Sequence, residues 1–180
     1  SITGRMIGTG EVIGTEVVGV TGGSATFADK HIGTARTATA TGFTLTGADA
    51  GNYAIGTINT TTGNVVVRPI TITAGTDTKT YDGTTSSTGT LVVTSPNSPP
   101  IVGGDIANFT QTYDNRNVGT GKTLTPSGTV IDGNSGNNYS YNFVTDTTGI
   151  ITQAPLTVTA DAKTKVYSEA DPALTYQITF

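Results

Sequence analysis

The chain has no cysteine and no tryptophan. Without cysteine it has neither disulfides nor thiolate metal sites. That absence does not fix the compartment, because secreted proteins without cysteine are common. Charge is also scarce. Only 12% of residues are charged, about half of the roughly 25% found in ordinary domains. Nine Lys and Arg, spread along a chain of net charge −4, do not make the basic face that nucleic acid requires. No apolar run approaches the ~18 residues of a membrane span. No signal-peptide pattern opens the sequence, and Ser1 in place of Met suggests a fragment of something longer. Straight-chain helix formers are few. What remains is Thr, Val, Ile and 24 Gly. Thr is β-branched and fits a pleated, half-exposed surface, so the composition predicts strands joined by Gly, Asn and Asp turns.

The chain also repeats itself. Residues 27–74 recur without a gap at a lag of 86, the difference between Tyr139 and Tyr53 (139 minus 53). Phe27 becomes Tyr113, Gly33 becomes Gly119 and Gly42 becomes Gly128. Ile70-Thr71-Ile72-Thr73-Ala74 becomes Leu156-Thr157-Val158-Thr159-Ala160, and Lys79 and Tyr81 recur as Lys165 and Tyr167. Self-similarity at a fixed period outranks any local motif and points to a modular array. The sequence then divides into three parts. Residues 1–69 are a first repeat without its opening strand, 70–155 a complete repeat, and 156–180 the opening strands of a third.

Alternation places the strands. Met6 and Ile7, Val12 and Ile13, and Val17, Val18 and Val20 suggest two or three strands before residue 27. Phe43 with Leu45, Tyr53 with Ile55, and Val65 with Val67 each share a face. GADAGN (47–52) reads as a turn or a single helical turn. Ile70 and Ile72 point one way, Thr71 and Thr73 the other. TYDGTT (80–85) carries an Asp-Gly turn signal. SPNSPP (95–100) is an exposed loop, because three prolines remove donors and fix φ. Phe109, Gln111 and Tyr113 alternate, and Tyr139, Tyr141 and Phe143 give the best strand signal in the chain. Leu174, Tyr176 and Ile178 alternate after Asp171-Pro172. About seven short strands per repeat predict an all-β fold of tandem, small immunoglobulin-like β-sandwich modules. The alternative is a β-grasp module, which needs one true helix, and GADAGNY (47–53) is the place for it.

TKTYDGTT (78–85), FADKHIGTARTATATGFTLTGADAGNY (27–53) and TYDNRNVGTGKTLTPSG (112–128) carry a resemblance to a known family. They resemble the YDG repeat of large secreted bacterial adhesins, the filamentous-haemagglutinin-like exoproteins of Gram-negative bacteria. ADAKTKVYSEADPALTYQITF (160–180) is similar to the opening of the related MBG repeat, with Tyr167-Ser168-Glu169 at its tyrosine motif. The resemblance implies extracellular, cell-surface, all-β modules in a stalk or fibre, and no catalytic residues.

The residue inventory agrees with that expectation. His31 is the only histidine, so no His-based metal site forms, and at the repeat position of Asn117 it reads as a loop residue. Ser24, His31 and Asp29 lie close in sequence, but no nucleophile elbow or oxyanion-hole pattern accompanies them. Asp132, Asn134 and Asn137 could offer oxygens to calcium, although Asx turns explain DGNSGNN without metal. No other cofactor is expected. An isopeptide bond between Lys79, or Lys165 at its repeat position, and Asn142 is a further possibility. A solvated Lys opposing edge-to-edge aggregation is the plainer reading. The Thr37–Thr39–Thr41 alternation reads as an exposed sheet face rather than an ice-binding ladder. The tyrosines read as packing residues rather than sugar platforms.

The expected function is structural: a repeat segment of an extracellular bacterial adhesin stalk or surface filament, and not an enzyme. Its partners are copies of itself or neighbouring repeats. Because 70–86 and 156–172 are the same element, the strand at 156–160, or the hairpin 156–180 with Leu156, Val158 and Tyr167 as its marked residues, is expected to complete residues 1–69 of a neighbouring molecule head to tail; the alternative is that the incomplete ends are those of a piece trimmed from a longer chain. The alternative is a module binding glycans or a host surface through loops 95–104 and 132–138.

Overall fold

In the computed structural model residues 12–180 are described, so the expectation for Met6 and Ile7 lies outside the described residues. Their regular elements are strands, apart from one 3-10 turn at Ala50–Asn52. That turn is the whole helical content of GADAGNY among the described residues, which leaves the β-grasp alternative without its helix. The chain divides into two compact units, Ser1–Arg68 and Pro69–Phe180.

The first unit is one antiparallel sheet of β1 (Gly19–Phe27), β2 (Gly33–Thr46) and β3 (Thr61–Val65), in that order. Phe27 pairs with Ala38 and Ala25 with Ala40. Ala38 is the only hydrophobic side chain buried among the unit's described residues. Three expectations fail here. Val12, Ile13, Val17 and Val18 are not in strands, and Tyr53 and Ile55 lie in irregular chain. Val67 falls beyond the end of β3 and is exposed.

The second unit holds nine strands: β4 (Arg68–Thr73), β5 (Thr78–Thr80), β6 (Val92–Thr94), β7 (Ile106–Tyr113), β8 (Gly119–Ile131), β9 (Tyr139–Val144), β10 (Asp146–Thr152), β11 (Thr157–Ala160) and β12 (Tyr176–Thr179). Strands β4 to β10 form two sheets, ordered β6-β4-β9 and β5-β10-β8-β7. Ile70 and Ile72 of β4 and Tyr139 of β9 meet Val130 of β8 in one cluster. Ala74, Tyr113, Leu124 and Ile151 form a second. The two sheets therefore share a core, in a sandwich-like all-β fold. Burying each large aliphatic side chain stabilises it by about 1.5–3 kcal/mol. Alternation works here because one face of each sheet is dry. Gln111 and Tyr113 are buried on β7, while Thr110 and Thr112 between and beside them are exposed. Gly128 has φ +126, and a Cβ there would strike the Asn108 backbone. Its repeat counterpart Gly42 also has positive φ, so a backbone requirement accounts for both glycines.

Candidate strand-exchange surface

Strand β4 sits between two neighbours. Ile72 pairs with Val93 of β6, and on the other side the Ala74 N–H donates to the Val144 carbonyl at 2.9 Å. Ile70 and Ile72 are consequently 2% and 0% exposed. Strand β11 carries the same sequence element. It pairs with β12, Val158 opposite Ile178, much as β4 pairs with β6. No third strand joins this pair among the described residues. Leu156 and Val158, in the register of Ile70 and Ile72, are 54% and 58% exposed. The structure thus brings Leu156 and Val158 together, one before β11 and one in it. It does not bring in Tyr167, which is 96% exposed in the connection between β11 and β12. Beside it, Lys165 is off the strands and its ammonium donates to Asp171 Oδ1 at 2.7 Å.

The first unit shows the converse. Residues 53–58 occupy the repeat position of β9 but form no strand. The tyrosine that starts the segment is nonetheless anchored alike in both copies. The Tyr139 hydroxyl donates to Asp105 Oδ2 (2.7 Å) and accepts from the Val102 N–H (3.2 Å). The Tyr53 hydroxyl bonds the Glu16 carboxylate and accepts from the Ile13 N–H at 2.8 Å. The Glu16 carboxylate on this phenol raises its pKa. The anchor is in place in the first copy, and the strand beyond it is not formed.

Sequence reasoning missed the polar lock between β4 and β7. Gln111 is 2% exposed. Its Oε1 accepts the Gly75 N–H (2.9 Å), and its Nε2 donates to the Gly75 carbonyl (2.8 Å) and to Ser87 Oγ (2.9 Å). Ser87 in turn donates to Asp77 Oδ2 at 2.6 Å. A buried amide with its groups bonded in this way fixes register as well as adding stability. A polar residue alternating with Phe109 and Tyr113 on a core face was the available signal.

Lys79 overturns the picture of a solvated edge lysine. Its side chain is 15% exposed. Its ammonium donates to Asp82 Oδ1 (2.9 Å), the Thr84 carbonyl (2.9 Å) and Thr84 Oγ1 (3.0 Å), and stands 5.4 Å from the Tyr113 ring centroid. Burial pushes the Tyr113 phenol up to about 12. The Lys79 ammonium and the Thr84 N–H and hydroxyl hold the Asp82 carboxyl down at about 2. The Asn142 amide instead meets Thr71 Oγ1 at 3.5 Å, so the structure does not join Asn142 to Lys79.

The other candidates resolve into loop chemistry. Asp132 is buried, and its carboxylate accepts the N–H groups of Asn134 (2.7 Å), Gly136 (2.8 Å) and Asn138 (3.0 Å). Burial acts to raise its pKa, but these three donors outweigh it and the pKa is lowered. The Asp132 carboxylate therefore organises its own loop, in the manner of the Asx turns read for DGNSGNN. Among the described residues, no three His, Cys, Asp or Glu side chains gather as a metal site. Asp29 accepts the His31 backbone N–H (2.8 Å) and pairs with Arg36, while Ser24 lies within β1 opposite Thr41. Thr37, Thr39 and Thr41 are exposed, as an outer sheet face requires. Tyr113 and Tyr139 are packed, whereas Tyr81, Tyr167 and Tyr176 are exposed.

The YDG domain model matches residues 2–63 and again residues 66–149. The chain belongs to the YDG domain family. Its last segment, residues 156–179, matches the MBG domain of the YGX type. The YDG tripeptide itself, Tyr81-Asp82-Gly83, is the turn that presents Asp82 to Lys79. In the MBG segment the same lysine position meets an acid six residues on, Asp171. No curated protein and no solved structure matches the chain.

Proposed function

We propose that this chain is a structural repeat segment of an extracellular bacterial adhesin stalk or surface filament, of the filamentous-haemagglutinin-like kind, joined head to tail by β-strand complementation. The observation that carries the reading is the contrast between two copies of one strand. Ile70 and Ile72 are buried in β4, whereas Leu156, just before β11, and Val158, within it, are open. Residues 53–58 are the matching half, a β9-type segment with no β4-type strand beside it among the described residues. Pairing β11 of one molecule with residues 53–58 of another would add a strand to each. A heterologous contact of that kind does not close and extends into a fibre. Its partners are copies of itself, its site the cell surface, and its role mechanical rather than catalytic. The glycan-binding reading has less behind it, because the 132–138 loop directs its central carboxylate inward.

Electron microscopy of untagged protein across a concentration series tests this. Filaments repeating at about one chain length are expected. Isolated short rods at every concentration would overturn strand exchange.

A further inference from the structure

We infer that the side chain at the Gln111 position of a repeat, which is Ala25 in the first unit, selects the opening segment that the repeat accepts. The inference rests on the head-to-tail reading above and names its specificity determinant.

Gln111 bonds both the N–H and the carbonyl of Gly75. That requires a Gly75 N–H not otherwise engaged and no side chain in the way. A Cβ on Gly75 would strike the Thr90 backbone. A Cβ on Gly89 would strike the Gln111 amide and lie 2.8 Å and 2.9 Å from the Thr76 and Gly75 carbonyls. Two glycines and one glutamine are thus mutually fitted.

The 156–180 segment breaks each of these requirements. Asp161 replaces Gly75 at the repeat lag, and its N–H is already donated to the Thr175 carbonyl at 2.9 Å. Its carboxylate accepts from Thr175 Oγ1 (2.6 Å) and Gln177 Nε2 (3.2 Å). Counted back four residues from the paired positions Val93 and Ile178, Gly89 corresponds to Leu174. A leucine there would fall on the Gln111 amide, and the amide would lose both bonds to the strand. Leaving such polar groups buried and unpaired is strongly unfavourable.

Ala25 removes the conflict. It pairs with Ala40 on the same face as buried Ala38, as Gln111 pairs with Pro126 on the face of Leu124. It has no polar group to satisfy and is itself exposed. The 72% exposed Leu174 can cover it. A glutamine repeat therefore keeps its own glycine-bearing segment, and the alanine repeat takes the Asp161–Leu174 segment.

The test is sedimentation velocity on the full chain, with far-UV circular dichroism as a control on folding. Wild type is expected to self-associate, and Ala25→Gln to weaken association at least about tenfold, the effect of leaving a buried amide unpaired. Adding Asp161→Gly and Leu174→Gly to Ala25→Gln is expected to restore association. Wild type that stays monomeric overturns the head-to-tail reading itself. Wild type that associates while Ala25→Gln associates equally, or a triple variant that is not rescued, overturns the selector and leaves that reading standing.

Discussion

The two units are two drafts of one sequence, and they differ most where a neighbouring strand is present in one and not found among the described residues of the other. In both, a hairpin of matching length is followed by a tyrosine whose hydroxyl binds an acid and a backbone N–H (Tyr53 with Glu16, Tyr139 with Asp105). In both, a cation at the same repeat position closes the hairpin turn, Arg36 on Asp29 and Lys122 on Asp114. Yet 139–144 is a strand and 53–58 is not. The second segment lies against β4, and the first has no such strand beside it among the described residues. Local sequence sets the turns and anchors. Strand formation needs a partner for the backbone, as the unpaired alternative leaves N–H and C=O groups without their bonds.

The largest test of this contrast is one methyl-rich side chain in each copy of the element. Ile72→Ala is expected to cost about 3 kcal/mol, the usual range for a fully buried isoleucine. Val158→Ala, in the same register but exposed, should stay within about 0.5 kcal/mol in the isolated chain. Urea unfolding of both variants reads the difference. Equal costs would mean that the burial contrast does not exist in solution. Asp132→Ala removes the acceptor for three backbone N–H groups in a loop whose first-copy counterpart has no such carboxylate. It should cost about 2–3 kcal/mol and release the amides of Asn134, Gly136 and Asn138 to hydrogen exchange. Gln111→Ala, which makes the second unit resemble the first at that position, should cost about 2 kcal/mol. Protection should be lost first in 75–89, not in β8.

The fourth test is pH. Asp82 has a folded pKa of about 2 against an ordinary 3.8. A depressed carboxylate pKa stabilises the fold fully above the ordinary value and loses that contribution as pH falls through the folded value. Stability of the second unit should therefore decline between about pH 4 and pH 2. Asp82→Asn should flatten that decline while leaving the unfolding midpoint of the first unit unmoved. An unchanged acid limb in Asp82→Asn would remove the Lys79 clamp from the account.

Much of this was legible beforehand. The lag of 86 found the paired hairpins, and alternation put Ile70 with Ile72 on one face and Tyr139 with Tyr141 on another. These signals work because a half-dry sheet forces period two. The signal failed where pairing, not pattern, decides. Tyr53 and Ile55 alternate as well as Tyr139 and Tyr141 do, and alternation alone does not register that the lag leaves the first copy without a β4-type strand to pair with them. It failed also at Lys79: the Asp-Gly signal marked the turn at 80–85, but not that its Asp82 and Thr84 acceptors close on the ammonium. Gln111 was read as one more member of an alternating run, although a polar side chain between Phe109 and Tyr113 was the sign of a lock. At Asp132 the Asx-turn signal found the bond to the Asn134 N–H but not the further bonds to Gly136 and Asn138.

Strand β5 runs parallel to β10, with Thr78, Lys79 and Thr80 alongside Ile150, Ile151 and Thr152. One strand lies near the entry of the repeat and the other at its exit. The Ile150 N–H reaches the Asp77 carbonyl at 3.0 Å and the Tyr81 N–H the Thr152 carbonyl at 2.8 Å. Pulling the two ends of the repeat apart would slide these strands past each other. The bonds between them would bear the load together in shear, not open one by one as in an unzipping hairpin. A tensioned chain of such repeats would resist up to the rupture of that short patch and then extend by a whole repeat, a step visible to a force probe.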